Sequence, residues 1–168
     1  MSENKGRFLV VSNRLPVTLA CKEKKWEAKS SSGGLVNALN PVLKNRGGFW
    51  IGWPGAFDNL KISTMKEILG PLSKKSGYRF LPILLTKEDI ETFYNGFSNS
   101  ILWPLFHDFQ SRCNFLPAYW DGYIAANEKF AKVVLGHSSE NDFIWVNDYQ
   151  LIPLGSMLLE KNPELNPS

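Results

Sequence analysis

The sequence predicts an α/β fold with a mainly parallel sheet flanked by helices. Two short apolar runs, 8–12 and 142–148, have the hydrophobicity of strands that are buried on both faces, as in parallel sheets. Between them, stretches with apolar residues three and four positions apart predict helices. Strands that alternate with helices along the chain are typical of a parallel sheet.

The composition is that of one folded domain. The chain has 168 residues, of which 43% are hydrophobic and 13% aromatic, and its mean hydropathy is -0.20. It can therefore bury a sizeable core. No apolar run is long enough to cross a membrane, and no apolar leader begins the chain, so we expect a cytoplasmic protein without a membrane partner. A net charge of +3 is too small to indicate nucleic-acid binding.

The cysteines and histidines do not form a metal-binding pattern. Cys21 and Cys113 are far apart in sequence and indicate two reduced thiols. Together with His107 and His137 they lack the close spacing of a structural zinc site. We therefore expect neither a metal nor a cofactor.

Local patterns predict the elements of the first half of the chain. Segments 17–21 and 26–29 predict a surface hairpin joined by a charged turn at 22–25. A helix spans apolar positions 35–43, and Pro41 within it predicts a kink or an early stop. Gly47-Gly48 ends that helical segment, and the pattern of residues 49–55 predicts a strand that leads into a turn.

The second half predicts one edge strand and four further helical segments. Residues 78–85 form a strand that Pro82 assigns to the edge of the sheet. Thr86 and Asp89 are spaced as a helix cap for 90–97, which Gly96 weakens. Pro104 breaks or kinks the next segment, 101–107. Pro117 opens a longer helix up to about Leu135, and Pro153 opens a final helix over 154–160.

Three polar clusters follow strands or precede a helix, where ligands of open α/β sheets collect. They are Ser12-Asn13-Arg14, Asn147-Asp148-Tyr149 and the loop from Ser30 to Gly34. Free N–H groups and the helix dipole favour an anion at this loop, and its glycines admit close approach. The Arg14 guanidinium would donate two parallel N–H hydrogen bonds to phosphate oxygens. The sequence therefore predicts a phosphorylated ligand.

The stretch from Tyr94 to His107 mixes aromatic side chains with amides and glycine at no clean helical period. Rings and amides together suit sugars, whose C–H faces pack on rings while their hydroxyls need directional partners. Other readings stay open for single residues: core packing for Trp103, a surface position for Arg14, turn chemistry for the glycines and a helix cap for Asp148. The chain has neither a Walker loop nor a nucleophile elbow.

Five motifs together resemble the trehalose-6-phosphate synthase family. In chain order they are Ser12 to Pro16, Ser32 to Leu35, Gly52 to Gly55, the Tyr94 to His107 block and Asn147 to Leu151. The family has a GT-B fold with two Rossmann-like domains. The resemblance implies that residues 1–168 form the acceptor-side domain, which belongs to the N-terminal half of the family's enzymes, and that this chain lacks the donor-binding domain. It also implies that this segment alone is inactive.

The resemblance implies an activity, its substrates and a set of site residues. The family transfers glucose from a nucleotide sugar, usually UDP-glucose, to glucose 6-phosphate with retention. Arg14 matches the acceptor-phosphate arginine, and Asp148 matches the carboxylate that holds sugar hydroxyls, taken here as the catalytic position. The aromatic residues that line the family's acceptor pocket correspond to Trp53, Tyr94 and Trp103 here. The loop glycines that face the donor diphosphate correspond to Gly33 and Gly34.

One departure from the family pattern concerns the residues around Asp148. The usual His-Asp-Tyr-His-Leu is Asn147-Asp148-Tyr149-Gln150-Leu151 here, so amides replace both imidazoles. Two alternative functions stay open: a non-catalytic sugar-phosphate-binding regulatory subunit, and a sister synthase with another phosphorylated acceptor such as glycerol 3-phosphate. The donor nucleotide and homo-oligomerisation stay open as well.

Overall fold

The computed structural model describes residues 6–23, 25–31, 33–56 and 60–168. Five parallel strands form the main sheet in the order β5-β4-β1-β6-β7, and β2 and β3 form an antiparallel hairpin. The predicted α/β fold with a mainly parallel sheet and a surface hairpin is confirmed. In chain order the strands are β1 (Phe8–Arg14), β2 (Val17–Lys22), β3 (Lys25–Ser30), β4 (Gly48–Trp53), β5 (Arg79–Pro82), β6 (Phe143–Val146) and β7 (Asn166–Pro167).

Helices cover both faces of the sheet. A π-helix, whose hydrogen bonds span five residues, occupies Ile90–Leu102, and short 3₁₀ turns occupy Gln110–Arg112 and Tyr149–Leu151. The α-helices are α1 (Gly34–Arg46), α2 (Ile62–Ser76), α3 (Lys87–Asp89), α4 (Trp103–Phe106), α5 (Pro117–Leu135) and α6 (Leu154–Lys161).

The central strand β1 divides the core into two layers. Leu9 and Val11 point to one face, where they join a buried cluster that includes Phe130 of α5. Val10 points to the other face and joins a cluster that includes Leu43 of α1. Because successive side chains of a strand alternate between faces, a continuous apolar run fills both layers. This pattern made β1 recognisable in the sequence.

The early stop predicted at Pro41 is wrong, because α1 continues to Arg46; the alternative, a kink at Pro41, stays a prediction. Helix α2, which the sequence analysis did not predict, likewise contains Pro71. A proline inside a helix leaves the carbonyl four residues earlier without its usual N–H. Those carbonyls belong to Asn37 and Glu67, which are exposed, so water can satisfy them.

The expected break at Pro104 is also wrong. Helix α3, the π-helix and α4 follow one another without a gap from Lys87 to Phe106, and Pro104 lies in the first turn of α4. The predicted cap is confirmed: Thr86 and Asp89 form a capping box. Gly96 allows a close approach of α5, since a Cβ there would lie 2.5 Å from the Tyr119 ring.

A buried carboxylate joins the start of β1 to the loop before β6. Asp142 accepts hydrogen bonds from the backbone and guanidinium of Arg7 and from the backbone and hydroxyl of Ser139. Burial opposes ionisation of Asp142, but these hydrogen bonds outweigh it and hold the pKa of its carboxyl below the usual value. Folding is therefore favoured by the ionised form of Asp142.

We expect Asp142→Asn to lower the free energy of unfolding by about 1.5–3 kcal/mol at pH 7, because a charge-assisted network is lost. A depressed pKa in the folded state gives stability that is present above the unfolded pKa of about 3.9 and lost as pH falls through the folded value. Thermal melts between pH 3 and pH 7 should show a weaker acid dependence in the variant. Glu140→Gln, an exposed change in the same loop, is the control, and equal acid dependence of wild type and Asp142→Asn would contradict this account.

Candidate functional site

The carboxyl ends of three neighbouring strands meet at one edge of the sheet. Arg14 at the end of β1 is paired in register with Trp53 at the end of β4. On the other side, the backbone N–H of Asn147, just after β6, donates to the carbonyl of Val11 at 2.8 Å. Two of the predicted polar clusters therefore lie side by side at this edge, as the sequence analysis expected.

Arg14 presents its guanidinium at this edge, with no carboxylate partner in the part of the chain that the structure describes. The guanidinium carbon lies 4.4 Å from the centre of the Trp53 ring. Although the Arg14 side chain is exposed, partial desolvation of its guanidinium lowers the pKa of Arg14, and nearby Tyr94 raises it. Within the described residues Arg14 forms no salt bridge. An arginine stays charged at physiological pH, so its donors are available to an anion.

Gly55 and Trp53 shape the surface that carries Arg14. Gly55 has a φ of +80°, and a Cβ there would lie 3.0 Å from Nη2 of Arg14, so only glycine fits well. Trp53 is 4% exposed and donates from Nε1 to the carbonyl of Ala56 at 2.7 Å. The tryptophan therefore lies behind the guanidinium rather than in the open. Its assignment to the acceptor pocket stays a prediction.

Asp148 reaches from the end of β6 to the end of β1. Its Oδ2 accepts a hydrogen bond from the backbone N–H of Asn13 at 3.0 Å. Its backbone has φ 77° and ψ 141°, a conformation that costs a non-glycine residue about 1–3 kcal/mol. The alternative that Asp148 caps the last helix is wrong, because Pro153 directly precedes α6, and the Asp148 side chain makes no capping bond to the 3₁₀ turn that follows it either. Such strain is common where a side chain is held for binding or catalysis.

Tyr94 of the π-helix lies close to this edge. It interacts electrostatically with both Arg14 and Tyr149. Burial raises the pKa of the Tyr149 phenol, and Tyr94 and Asp148 raise it further. Arg14, Tyr94, Asp148 and Tyr149 therefore form one cluster, which contains three of the predicted site residues.

Trp103 lies on α4 and is 44% exposed. Its ring stacks on the His107 ring at a centroid distance of 4.1 Å. In the described part of the chain, no ring contact or hydrogen bond joins Trp103 to Arg14 or Asp148. It is therefore outside the core, and its contact with a ligand stays a prediction.

The glycine loop begins α1, and Thr18 lies between Ser31 of this loop and Gly55. The Thr18 hydroxyl lies 3.3 Å from that of Ser31, and Thr18 Cγ2 also borders Gly55. Gly33 and Gly34 are exposed, and an added Cβ at either would meet nothing within 4 Å. Packing within the described residues thus gives no reason for glycine at these positions. Ser32, part of the predicted loop motif, lies outside the described residues.

The cluster includes polar residues to which sequence reasoning gave no role. The phenol of Tyr149 donates to Oδ1 of Asn99 at 2.8 Å. Asn13 is 3% exposed, and its Oδ1 has no hydrogen-bond partner among the described residues. Asn13 and Tyr149 belong to the recognised motifs, and their position beside Arg14 and Asp148 was the available signal.

A second positively charged surface lies in a cleft that Arg14 does not line. A cleft of about 610 Å³ between the hairpin, α1 and α2 is lined in part by Lys44 and Lys75. Both lysines lie near the carboxyl ends of their helices, where they compensate the helix dipoles. This cleft is the main alternative to the Arg14 edge as an anion-binding site.

Within the described ranges, no helix is both long and apolar enough to cross a bilayer. Among the same residues, no three His, Cys, Asp or Glu side chains converge as a metal site would require.

Solved structures with this fold include trehalose-6-phosphate synthases. One from E. coli, bound with UDP-2-fluoro glucose, superposes with a TM-score of 0.72 at 29% identity over 94% of this chain and 31% of that chain. A UDP-forming alpha,alpha-trehalose-phosphate synthase from Burkholderia xenovorans, in complex with glucose-6-phosphate, gives a TM-score of 0.71 at 26% identity over 96% and 32%. The sheet is thus the Rossmann-like sheet of the N-terminal half of a GT-B glycosyltransferase.

Curated relatives carry the same description. The chain is 41% identical to the UDP-forming alpha,alpha-trehalose-phosphate synthase A of Dictyostelium discoideum, over 95% of this chain and 21% of that protein. It is also 41% identical to the UDP-forming synthase of Emericella nidulans, over 95% and 31%. The chain therefore spans between a fifth and a third of the length of these relatives. The family model of Glycosyltransferase family 20 matches residues 6–166, so the chain belongs to this family.

Proposed function

We propose that this chain forms the acceptor side of a retaining glucosyltransferase that makes α,α-trehalose 6-phosphate from UDP-glucose and glucose 6-phosphate. The observation that carries the proposal is Arg14: a guanidinium without a carboxylate partner in the described residues, beside Tyr94. Relatives named as UDP-forming trehalose-phosphate synthases support the substrate pair.

Each proposed role follows from the chemistry of the side chain. Arg14 donates two parallel hydrogen bonds to the acceptor phosphate, and the Tyr94 hydroxyl donates a third. The Asp148 carboxylate accepts from sugar hydroxyls, since Asn13 engages only one of its oxygens. Trp53 and Trp103 border the acceptor. Backbone N–H groups at Gly33 and Gly34 face the donor diphosphate at the positive end of α1.

We further propose that residues 1–168 act as the acceptor-side domain and that the rest of such an enzyme binds the donor nucleotide. The share of the relatives that this chain spans supports this division. Contacts with the diphosphate from basic side chains would then come from outside this chain. Glucosyl transfer requires both sides to be brought together.

Calorimetric titration of this chain with three ligands tests the proposed acceptor. Glucose 6-phosphate should bind, glucose should bind much more weakly because it lacks the phosphate, and glycerol 3-phosphate should be intermediate because it lacks the ring. Failure of glucose 6-phosphate to bind would contradict the proposal. Tighter binding of glycerol 3-phosphate would instead support the sister synthase.

We expect Gly34→Ala to weaken binding of UDP without loss of stability. The new methyl group has open space in the free protein, and replacing glycine in a helix by alanine raises stability by about 0.4–1 kcal/mol. The same methyl would stand where the diphosphate approaches the N–H groups. Gly70→Ala in α2 is the matched control, because an added Cβ there also meets nothing within 4 Å. Equal UDP affinity of both variants would remove Gly34 from the donor site.

We expect Trp103→Phe to weaken binding of glucose 6-phosphate several-fold and to change the melting temperature little. Trp103 is 44% exposed, so a smaller ring leaves no buried cavity. Trp145→Phe serves as control, since Trp145 is similarly exposed at 40% and has no proposed ligand contact. A large fall in melting temperature with unchanged affinity would show that Trp103 serves packing instead.

A further inference from the structure

The π-helix determines which side chains share a face. A π-helix has about 4.4 residues per turn, against 3.6 in an α-helix. Nine residues separate Tyr94 from Trp103, and all positions from Tyr94 to Leu102 are π-helical. At about 82° per residue the two side chains point about 18° apart, whereas in an α-helix they would point to opposite sides. The wide turn therefore puts Tyr94 and Trp103 on one face.

Two serine hydroxyls reinforce the wide turn. Ser98 donates to the carbonyl of Phe93 at 2.7 Å, and Ser100 donates to that of Asn95 at 2.7 Å. Each bond spans five residues, as the backbone bonds of a π-helix do. Ser98 is fully buried. π-helical turns are less common than α-helical ones and frequently occur at functional sites.

Asn99 connects this face to the Asp148 loop. Its Oδ1 accepts a hydrogen bond from the Tyr149 phenol at 2.8 Å, and Tyr149 directly follows Asp148. The carbonyl of Tyr149 is held by the Tyr123 hydroxyl at 2.9 Å. The Phe106 ring meets the Tyr149 ring edge-on at 6.2 Å. Tyr149 thus has a fixed backbone, and its phenol is the link to the π-helix.

We propose that the hydrogen bond from Tyr149 to Asn99 is a positioning contact that fixes the face carrying Tyr94 and Trp103 relative to Arg14 and Asp148. Tyr149 and Asn99 would then set the width of the acceptor site without contacting the sugar phosphate themselves. This inference rests on the proposed function, because it assigns the face to an acceptor.

The proposal predicts a loss of affinity that exceeds any loss of stability. Without the phenol hydroxyl, the π-helix keeps its own hydrogen bonds and its packing on α5, so the fold persists. The face that carries Tyr94 then gains freedom relative to Arg14, and the ligand must restrict this freedom when it binds. One neutral hydrogen bond corresponds to roughly a 2- to 12-fold change in affinity.

The experiment compares Tyr149→Phe, Asn99→Ala and the double variant with Tyr78→Phe. Tyr78 donates to Oδ1 of Asn40 at 2.5 Å and offers the same pair chemistry on the other face of the sheet. Amide hydrogen exchange of residues 94–103 in the free protein reports on the contact itself. Calorimetry with glucose 6-phosphate reports on its effect, and thermal melts report on stability.

We expect Tyr149→Phe to accelerate amide exchange in residues 94–103 and to weaken glucose 6-phosphate binding by roughly 2- to 12-fold. The double variant should bind glucose 6-phosphate no more weakly than the single variant with the lower affinity. Tyr78→Phe should change neither the amide exchange of residues 94–103 nor the affinity. If the amide exchange of residues 94–103 is unchanged in Tyr149→Phe, the hydrogen bond to Asn99 does not restrain the π-helix. If exchange is faster but the affinity for glucose 6-phosphate is unchanged, the hydrogen bond does not position the site. If wild type does not bind glucose 6-phosphate, the proposed function fails first, and the positioning role fails with it.

Discussion

Replacing Arg14 with alanine should weaken binding of glucose 6-phosphate by roughly 10- to 150-fold, because a charge-assisted hydrogen bond contributes about 1.5–3 kcal/mol. Binding of unphosphorylated glucose should change little, since the guanidinium is assigned to the phosphate alone. The measurement is calorimetric titration of both ligands into wild type and variant. The fold should persist, because Arg14 is exposed and forms no salt bridge among the described residues.

Two further variants separate geometry from charge. Arg14→Lys keeps the charge but loses the planar fork, so its affinity should fall between wild type and Arg14→Ala. Arg112→Ala removes an equal charge from an arginine that also lies near an aromatic ring, 5.5 Å from the centre of Phe109. It should bind glucose 6-phosphate as wild type does. A similar loss in Arg112→Ala and Arg14→Ala would mean that overall charge, not a site at Arg14, governs binding.

This chain alone should not catalyse glucosyl transfer from UDP-glucose to glucose 6-phosphate. Holding two reactants in the right geometry supplies about 7–11 kcal/mol of barrier reduction. In the proposed division, the chain supplies the acceptor side and one loop that faces the diphosphate, and the side chains assigned to the sugar face water, which weakens polar contacts. Among the described residues, the proposed site offers the developing charge on the departing diphosphate the amino end of α1 and no basic side chain assigned to it.

The assay measures UDP release at high protein concentration, with the synthase of Emericella nidulans as positive control. We expect release by the control and none above background by this chain. Release that scales with this chain, requires glucose 6-phosphate and disappears in Asp148→Ala would show that the acceptor side suffices. In that case the division of labour proposed above would be mistaken.

The sequence predicted the elements whose patterns depend on burial alone. The strand β1 is a continuous apolar run buried on both faces, and α5 has a buried stripe that includes Tyr123 and Phe130. The strand β6 was also predicted, but its expected burial on both faces is wrong, because Trp145 is 40% exposed. Helix α2 was missed because Gly70-Pro71 reads as a turn, although both residues lie within the helix. The π-helix was missed because no α-helical period is present in a turn of five-residue hydrogen bonds.

Part of the candidate site was also predictable. Parallel strands end at a common edge, so Arg14 and Asp148 could be expected near each other from the ends of two apolar runs. The side-chain arrangement could not. The position of Trp53 behind Arg14 depends on the turn at Gly55. The shared face of Tyr94 and Trp103 depends on the π-helix. Single-residue patterns in the sequence reveal neither feature.

The most direct test of the account is a nuclear magnetic resonance titration of the isotope-labelled chain with glucose 6-phosphate. If the Arg14 edge binds the phosphate, the largest saturable shifts should fall on Arg14, Tyr94 and residues 147–149, and they should disappear in Arg14→Ala. Shifts centred on Lys44 and Lys75, in the cleft between α1 and α2, would contradict the central claim.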